Sequence, residues 1–303
     1  MTRYRPIRHE KVTRVPLPPI IQQQHQDIAL SMDFFFVNGN IFFHTKSHKL
    51  DFISVQSCTS RTIGTIIAGI NVVKKKYDAR NFSISDYHAD NEFDKAEIKK
   101  NFTPANMNIY ARLEHVGDIE RSTRTIKERC RATCHSIPYK SFTKLMVRSL
   151  IERIVHIINY FPSKPRISNT MSPAMIVEGR AKLDFSKKRV AFGAYVLVYT
   201  GTYNDMKGRA TPAIALRMSN NDGGYYFISL HTGKRIHGYH WKEIPVDKYV
   251  IERVESLAKN EDQPIMHNGY PHFEWAPNQP IRDDLNEDFD SDNRIVNVLN
   301  ETK

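Results

Sequence analysis

Two aspartates occur in sequence settings where a carboxylate can do chemistry. Asp33 interrupts a strongly apolar run, Leu-Ser-Met-Asp-Phe-Phe-Phe-Val. A carboxylate there is costly to bury unless it is paired or binds a cation. Asp90 directly follows the predicted strand 82–87, where loop residues converge at a sheet edge. A structural role weighs about equally in each case: a hydrogen-bonded strand acid for Asp33, and a turn-forming Asp-Asn pair for Asp90.

A third acid, Glu120, stands near the start of a segment with helical periodicity. Apolar and small residues recur on one side of it: Ile119, Thr123, Ile126 and Cys130. The opposite side carries one acid and then three bases: Glu120, Arg124, Lys127 and Arg131. Such a ridge suits a metal-dependent enzyme acting on phosphodiesters, because the acid can hold a cation while the bases hold the nucleic-acid backbone. Taken alone, however, the segment favours a solvated helix with ordinary ion pairs.

The elements that must position these acids follow from hydrophobic patterning. Three strands at 28–37, 40–46 and 50–57 form a predicted antiparallel meander, with Asn38-Gly39 as its first hairpin turn. A helix over 62–77, the strand 82–87, a short helix, a strand-like stretch at 107–113 and two longer helices follow. This order predicts an α/β fold, a ribonuclease-H-like mixed sheet with flanking helices. The short strands and glycine turns after residue 190 predict a small all-β domain.

The chain therefore divides into four predicted parts. They are an extended leader or linker (1–26), a ribonuclease-H-like core (27–180), a small β-rich domain (190–250) and a polar, acidic tail that we expect to be disordered (251–303).

Charge and cysteine usage narrow the function classes. The net charge is +11, and residues 283–303 alone carry −5, so residues 1–282 carry +16. Such a basic body indicates a polyanionic partner, most simply nucleic acid. No apolar stretch is long enough to span a bilayer, and we expect no membrane partner. The three cysteines form no disulfide framework, and Cys130 and Cys134 fit better as core residues than as metal ligands.

Together, three segments of this chain resemble the catalytic core of a Ty1/copia-type retrotransposon integrase. They are Ser31-Met32-Asp33, the six residues from His88 to Phe93, and the six residues from Val116 to Arg121. The resemblance covers about residues 27–179. It implies that Asp33, Asp90 and Glu120 form an Asp-Asp-Glu triad holding two Mg²⁺ ions, with Mn²⁺ as an alternative. It also implies 3′-end trimming and strand transfer of element DNA into target DNA, in the nucleus, by a homo-oligomer.

Within this interpretation, Arg124, Lys127 and Arg131 bind DNA. The residues from Thr170 to Pro173, and Glu178-Gly179-Arg180, resemble the segment that closes the family's core. The chain lacks the family's paired His and Cys zinc module, and we expect a truncated fragment of the polyprotein. The alternative is a catalytically decayed or repurposed copy that binds nucleic acid without catalysis. The 29 residues between Asp90 and Glu120, fewer than the family usually has, favour that alternative.

Overall fold

The structure is a computed structural model. It describes residues 14–110, 117–161, 167–180, 190–199, 208–219, 224–266, 269–276 and 279–280. The predicted strand 107–113 therefore lies partly outside the described residues, as do most of the acidic tail and the Val116 end of the third motif.

The first part of the chain forms a mixed sheet with helices on both faces. Its strands are β1 (Asp27–Val37), β2 (Asn40–Ser47), β3 (Ile53–Cys58), β4 (Ser83–Ala89) and β5 (Asn106–Ile109). Their order across the sheet is β3-β2-β1-β4-β5. β2 runs antiparallel to β1 and β3, while β1, β4 and β5 run parallel. This order and polarity confirm the predicted ribonuclease-H-like fold.

Local sequence explains where these elements begin and turn. Asn38 and Gly39 both take positive φ values, 47° and 71°, as the tight β1–β2 hairpin requires. The Thr62 hydroxyl accepts a hydrogen bond from the Thr65 amide and caps helix α2 (Ile63–Asp78). The Thr143 hydroxyl caps helix α5 (Lys144–Tyr160) in the same way. These predicted elements are confirmed within a few residues of their ends.

Alternation along the strands divides the core into two layers. Met32, Phe34 and Phe43 pack on one face of the sheet, in the same cluster as buried residues of α2. Helices α3 (Ala96–Phe102) and α6 (Pro173–Glu178) cover the same face. Phe35 and Phe42 pack on the other face, under α5 and helix α4 (Gly117–Cys134). Because side chains alternate along a strand, Asp33 shares the α4 face with Phe35.

A second, antiparallel sheet follows, as the glycine-rich turns predict. Its strands, in the order β10-β6-β7-β8-β9, are β6 (Tyr195–Tyr199), β7 (Ala210–Met218), β8 (Tyr225–Ser229), β9 (Arg235–Gly238) and β10 (Trp241–Glu243). Three of its apolar side chains, Ile214, Leu216 and Ile228, join the core cluster of α5, together with Leu230 just after β8. The two sheets therefore share part of one core, and the boundary at residue 190 stays a prediction.

The expected tail needs correction over its first part. Residues 248–259 form helix α7 (Lys248–Lys259), which buries Val250, Val254 and Ala258. Strand β11 (Phe273–Ala276) pairs antiparallel with β1 and places Phe273 in the core. A two-residue strand, β12 (Gln279–Pro280), pairs with β11. Apolar residues at helical spacing and the aromatic β11 segment overcome the polar composition on which the prediction of disorder rested.

The leader, expected to be extended, is helical over part of its described residues, and residues 1–13 lie outside the description. Residues 19–24 form a short helix, α1 (Pro19–Gln24), which buries Ile21 in the core under α2. The Val15 amide donates to the carbonyl of Gly179, and the Arg80 guanidinium donates to the carbonyl of Val15. The end of the leader is therefore docked on the core.

Candidate active site

Asp33 lies where β1 has no neighbour on one side. β4 pairs with β1 from Asp27 to Ser31, and β11 pairs with it only at Phe36 and Val37. Asp33 falls in the gap between these two partners and is partly exposed. The Phe34 amide donates to Asp33 Oδ1 at 2.7 Å. An acid in an apolar strand is therefore placed at an opening rather than in the closed core.

Asp90 comes to the same place through strand register. Ser31 of β1 lies opposite His88 of the parallel strand β4. Two residues further along each strand are Asp33 and Asp90, so both aspartates reach one end of the sheet. Asp90 is exposed, and its Oδ1 accepts a hydrogen bond from the Glu92 amide at 3.0 Å. It caps a single 3-10 turn (Asn91–Phe93), so the predicted turn-forming role is present alongside its position near Asp33.

Glu120 lies in the first turn of α4, and polar contacts fix that helix on the sheet. His44 of β2 is fully buried; its Nδ1 is 3.1 Å from Thr123 Oγ1 and its Nε2 is 3.1 Å from Ser122 Oγ. Lys46, two residues along β2, donates to Asp118 Oδ1 at 2.6 Å. His44 lies directly opposite Asp33 in the β1–β2 register. The start of α4 is therefore held over the strand pair that carries Asp33.

Neighbouring carboxylates act on the charge of Asp33. Burial, then the charge of Asp90, and to a smaller degree the charges of Glu120 and Glu92, together raise the pKa of Asp33 to about 8. The Phe34 amide opposes this rise by donating to the carboxylate. Negative charge from neighbouring carboxylates, at a position where burial limits solvation, disfavours ionisation of Asp33.

Glu92 belongs to this cluster, although the sequence alone did not single it out. Arg61 Nη1 lies 2.9 Å from Glu92 Oε1 and 3.0 Å from Oε2, a two-oxygen contact. The same guanidinium lies 5.3 Å from the ring centroid of Phe36. Its place two residues after Asp90 was a signal, but its partner is 31 residues away and could not be found from spacing. Arg61 reduces the repulsion at this edge of the site.

The donor set at this site fits a hard divalent cation, although the acids are not in ligating positions. Among the described residues, no three His, Cys, Asp or Glu side chains are grouped so that they could hold one metal ion. Carboxylate oxygens are nevertheless the ligands that Mg²⁺ prefers. The raised pKa of Asp33 marks a concentration of negative charge that a cation would relieve. The residues present therefore fit Mg²⁺ by chemistry and charge.

The predicted basic ridge lies along one flank of α4, beside its buried side. Arg124 is exposed, and Lys127 and Arg131 are partly buried and have further interactions of their own. The buried side consists of the predicted residues, Ile119, Thr123, Ile126 and Cys130, together with Ser122 and Cys134. DNA contact by the ridge stays a prediction, whereas its helical position is confirmed.

Other predicted roles have clear structural outcomes. Cys130 and Cys134 are buried free thiols in the core, and burial raises the pKa of each, as expected for packing residues rather than ligands. Asp86 accepts from Ser85 Oγ at 2.6 Å and from Asn106 Nδ2 at 3.2 Å, and these bonds lower its pKa. It is therefore a structural acid. In the described part of the chain, no helix is both long and apolar enough to cross a membrane.

Comparison with known proteins adds little beyond this geometry. No protein-family model matches the chain, and no curated protein does. Among solved structures, the chain is similar to the catalytic core domain of BIV integrase, with 16% identity and a TM-score of 0.36. The alignment covers 50% of this chain and 93% of that one. At such values the likeness adds nothing to what the strand order already shows.

Proposed function

We propose that this protein is a metal-dependent polynucleotidyl transferase of the integrase type, which trims and joins DNA ends. The single observation that carries the proposal is the strand register that brings Asp33 and Asp90 to one end of a ribonuclease-H-like sheet, beneath the helix turn that carries Glu120. The resemblance of the three segments to Ty1/copia-type retrotransposon integrases supports the finer proposal. In that form, the substrates are the ends of element DNA and a target duplex.

The three acids have one shared role in this proposal. Asp33, Asp90 and Glu120 would hold Mg²⁺, or Mn²⁺ in its place. When bound, the cations would supply Lewis-acid stabilisation of the attacking and leaving oxygens of a phosphodiester. The Phe34 amide and the Arg61–Glu92 pair keep the surrounding side chains in fixed positions. This chemistry needs no serine or cysteine nucleophile, and the buried thiols of Cys130 and Cys134 are not part of it.

The basic surface would position the DNA. Arg124, Lys127 and Arg131 follow Glu120 along α4, so a backbone lying on this helix would pass from the bases to the acids. The +16 charge of residues 1–282 would attract the polyanion from a distance. We propose action in the nucleus as a homo-oligomer, since joining element DNA to a chromosome requires two ends at one target.

One observation favours a second candidate function. No group of three acids is in a ligating position among the described residues. A decayed copy that binds nucleic acid without catalysis would keep the fold and the basic ridge but lose the alignment of the carboxylates. The experiment below separates this possibility from the first.

The test uses the full chain, a fluorescent DNA end, a target duplex and Mg²⁺. We expect Glu120→Gln to abolish strand transfer, a loss of about 100-fold or more, because it replaces a negatively charged metal ligand with a neutral amide. Binding of the DNA end, measured by fluorescence anisotropy, should change less than about two-fold, because no phosphate contact is removed. Activity of Glu120→Gln equal to that of the wild type would refute the triad. Absence of activity in the wild type, with intact DNA binding, would favour the second function.

A charge reversal on the same helix tests the DNA-binding surface separately. The double variant Arg124→Glu, Lys127→Glu should weaken DNA binding about ten-fold or more at low salt. It should also make the binding constant depend less steeply on salt concentration, because fewer phosphate contacts release fewer counterions. Arg124→Glu alone is compared with Arg129→Glu, at another exposed arginine on a different side of α4. Equal effects of these two single reversals would show that only net charge matters.

A further inference from the structure

Three aromatic rings form a row on the α4 side of the sheet, beside the aspartates. The His48 and His88 rings are stacked, with centroids 4.8 Å apart and an angle of 26° between planes. The His88 and Tyr110 rings follow at 5.7 Å and 32°. The row runs from the end of β2, across β1 and β4, to the end of β5. None of these three residues has a role in the chemistry proposed above.

Hydrogen bonds fix the polar edges of the rings. Ser31 Oγ lies 2.6 Å from His48 Nε2, and the Tyr110 hydroxyl lies 2.7 Å from His88 Nδ1. The backbone amide of His48 also donates to the carbonyl of Ala29 at 3.0 Å. Because the rings stack on one another and their edges are held in this way, the outer faces of the two end rings, His48 and Tyr110, are left for further contact.

Small residues on β1 allow the rings to meet. Ala29 and Ser31 lie on the same face as Asp33, because side chains alternate along a strand. A larger side chain at either position would stand between β2 and β4 and separate His48 from His88. His48 is exposed, and His88 and Tyr110 are half-buried, so the row is reachable from solvent. Rings that belonged to a closed core would not be accessible to solvent in this way.

The position of the row relative to the acids suggests its ligand. Ser31, which holds His48, is two residues before Asp33 on β1, a distance of about 7 Å along the strand. This equals about two base steps of 3.4 Å along a nucleic-acid strand. Lys49, the next residue after His48, is exposed, and its positive charge is suited to contact with a backbone phosphate. Bases stack on aromatic faces with little regard to sequence.

We propose that His48, His88 and Tyr110 form a stacking platform for an unpaired nucleobase, about one or two nucleotides from the phosphate that reaches the carboxylates. This inference rests on the proposed function, because it names the part of the DNA substrate that the same site recognises. The ligand class is single-stranded DNA at the end of a duplex. The platform binds the flat face of any nucleobase and does not distinguish one base from another.

The test measures binding in EDTA, so that it does not depend on catalysis. The probes are DNA hairpins with a short single-stranded overhang, either intact or abasic at one overhang position. One position should be found at which loss of the base weakens wild-type binding about five-fold or more. His48→Ala and His88→Ala should weaken binding of the intact probe to the same degree and leave binding of that abasic probe unchanged. His48→Trp should restore most of the affinity.

The control is His231→Ala, which changes another exposed histidine, in the second sheet. It should bind both probes like the wild type. The platform is refuted if the His48 and His88 variants weaken the intact and abasic probes equally, as a structural defect would, or weaken neither. Failure of the triad leaves this result unaffected, since activity of Glu120→Gln is measured with Mg²⁺ and binding without it. Conversely, if Glu120→Gln abolished activity but no overhang position showed base-dependent binding, the platform alone would be refuted and the triad would stand.

Discussion

Asp33 has the most strongly perturbed carboxyl of the candidate site. Burial and the charges of Asp90, Glu120 and Glu92 raise its pKa to about 8. In the unfolded chain the same carboxyl titrates near 4. Between these two pH values the folded protein binds a proton that the unfolded chain has released, so this residue makes stability fall as pH rises.

Asp33→Asn should remove that pH dependence. In the metal-free protein at pH 8, we expect the variant to melt at least about 2 °C higher than the wild type, because an ionised carboxylate no longer has to be held beside other acids. At pH 4, where the wild-type carboxyl is mostly protonated in the folded state, the two proteins should melt alike. Mg²⁺ should stabilise the wild type at pH 8 and have little effect on the variant. Differential scanning calorimetry across the pH series measures all of these differences.

Asp86→Asn is the matched control, on strand β4 of the same sheet. Hydrogen bonds from Ser85 and Asn106 lower the pKa of Asp86, so its contribution to stability is present near neutral pH and is lost on acidification. The Asn variant should therefore be no more stable than the wild type at pH 8. If the wild-type melting temperature rose between pH 4 and pH 8 and Asp33→Asn showed the same rise, the raised pKa assigned to Asp33 would be contradicted.

At the scale of elements, α4 is attached to the sheet partly by polar groups. His44 is buried with a contact at each ring nitrogen, and burial lowers its pKa to about 3. Lys46 adds an ion pair to Asp118 at the start of the helix. Because Glu120 lies in the same turn, its position relative to Asp33 depends on these contacts.

His44→Ala should destabilise the protein by about 2–4 kcal/mol, since it leaves a cavity and deprives two buried hydroxyls of a partner. The His44 ring is neutral when folded, so the wild type should lose stability as pH falls from about 6.5 towards 3, and the variant should lose less. Urea denaturation at several pH values measures both effects. His135→Ala, at an exposed position just after α4, should change stability by less than about 0.5 kcal/mol. Equal effects of the two substitutions would mean that α4 does not depend on His44.

Across the whole molecule, the second sheet and α5 share one core. Ile214 and Leu216 of β7 pack with Leu150 and Ile154 of α5. Phe273 of β11 enters the same cluster from near the end of the described chain. Removal of the second sheet would therefore expose apolar surface on the helix that covers the first sheet.

Stability should reflect this continuity. We expect the full chain to unfold in a single cooperative transition, and Leu216→Ala to lower the midpoint by an amount equivalent to about 2–5 kcal/mol. The unfolding should be followed both by near-ultraviolet circular dichroism and by tryptophan fluorescence in a Trp275→Phe background, in which Trp241, partly buried in the second sheet, is the remaining tryptophan. Tyr249→Ala, which changes an exposed aromatic residue on α7, is the control and should have little effect. Two separate transitions, with Leu216→Ala affecting only one, would instead support an independent second domain.

The sequence predicted those features that have local patterns. Apolar periodicity and the Asn38-Gly39 turn sufficed for the first three strands and α2, and the aspartate in an apolar strand pointed to the site. Contacts made across long separations were not predictable. β11 pairs with a strand more than 230 residues earlier, and Arg61 binds Glu92 through a contact that no spacing rule specifies. In the sequence, His44 is an ordinary strand residue, and its contacts with α4 could not be predicted from its neighbours in the chain.

The most direct measurement is a crystal structure of the protein soaked in Mn²⁺, with anomalous scattering recorded near the manganese absorption edge. We predict an anomalous peak between Asp33 and Asp90, with Glu120 turned towards it, and loss of that peak in Glu120→Gln or Asp33→Asn crystals. Metal–oxygen distances of about 2.1–2.2 Å would identify the ligands, by analogy with other hard divalent cations. A well-diffracting crystal with saturating Mn²⁺ and no peak at these carboxylates would contradict the proposed metal-dependent site.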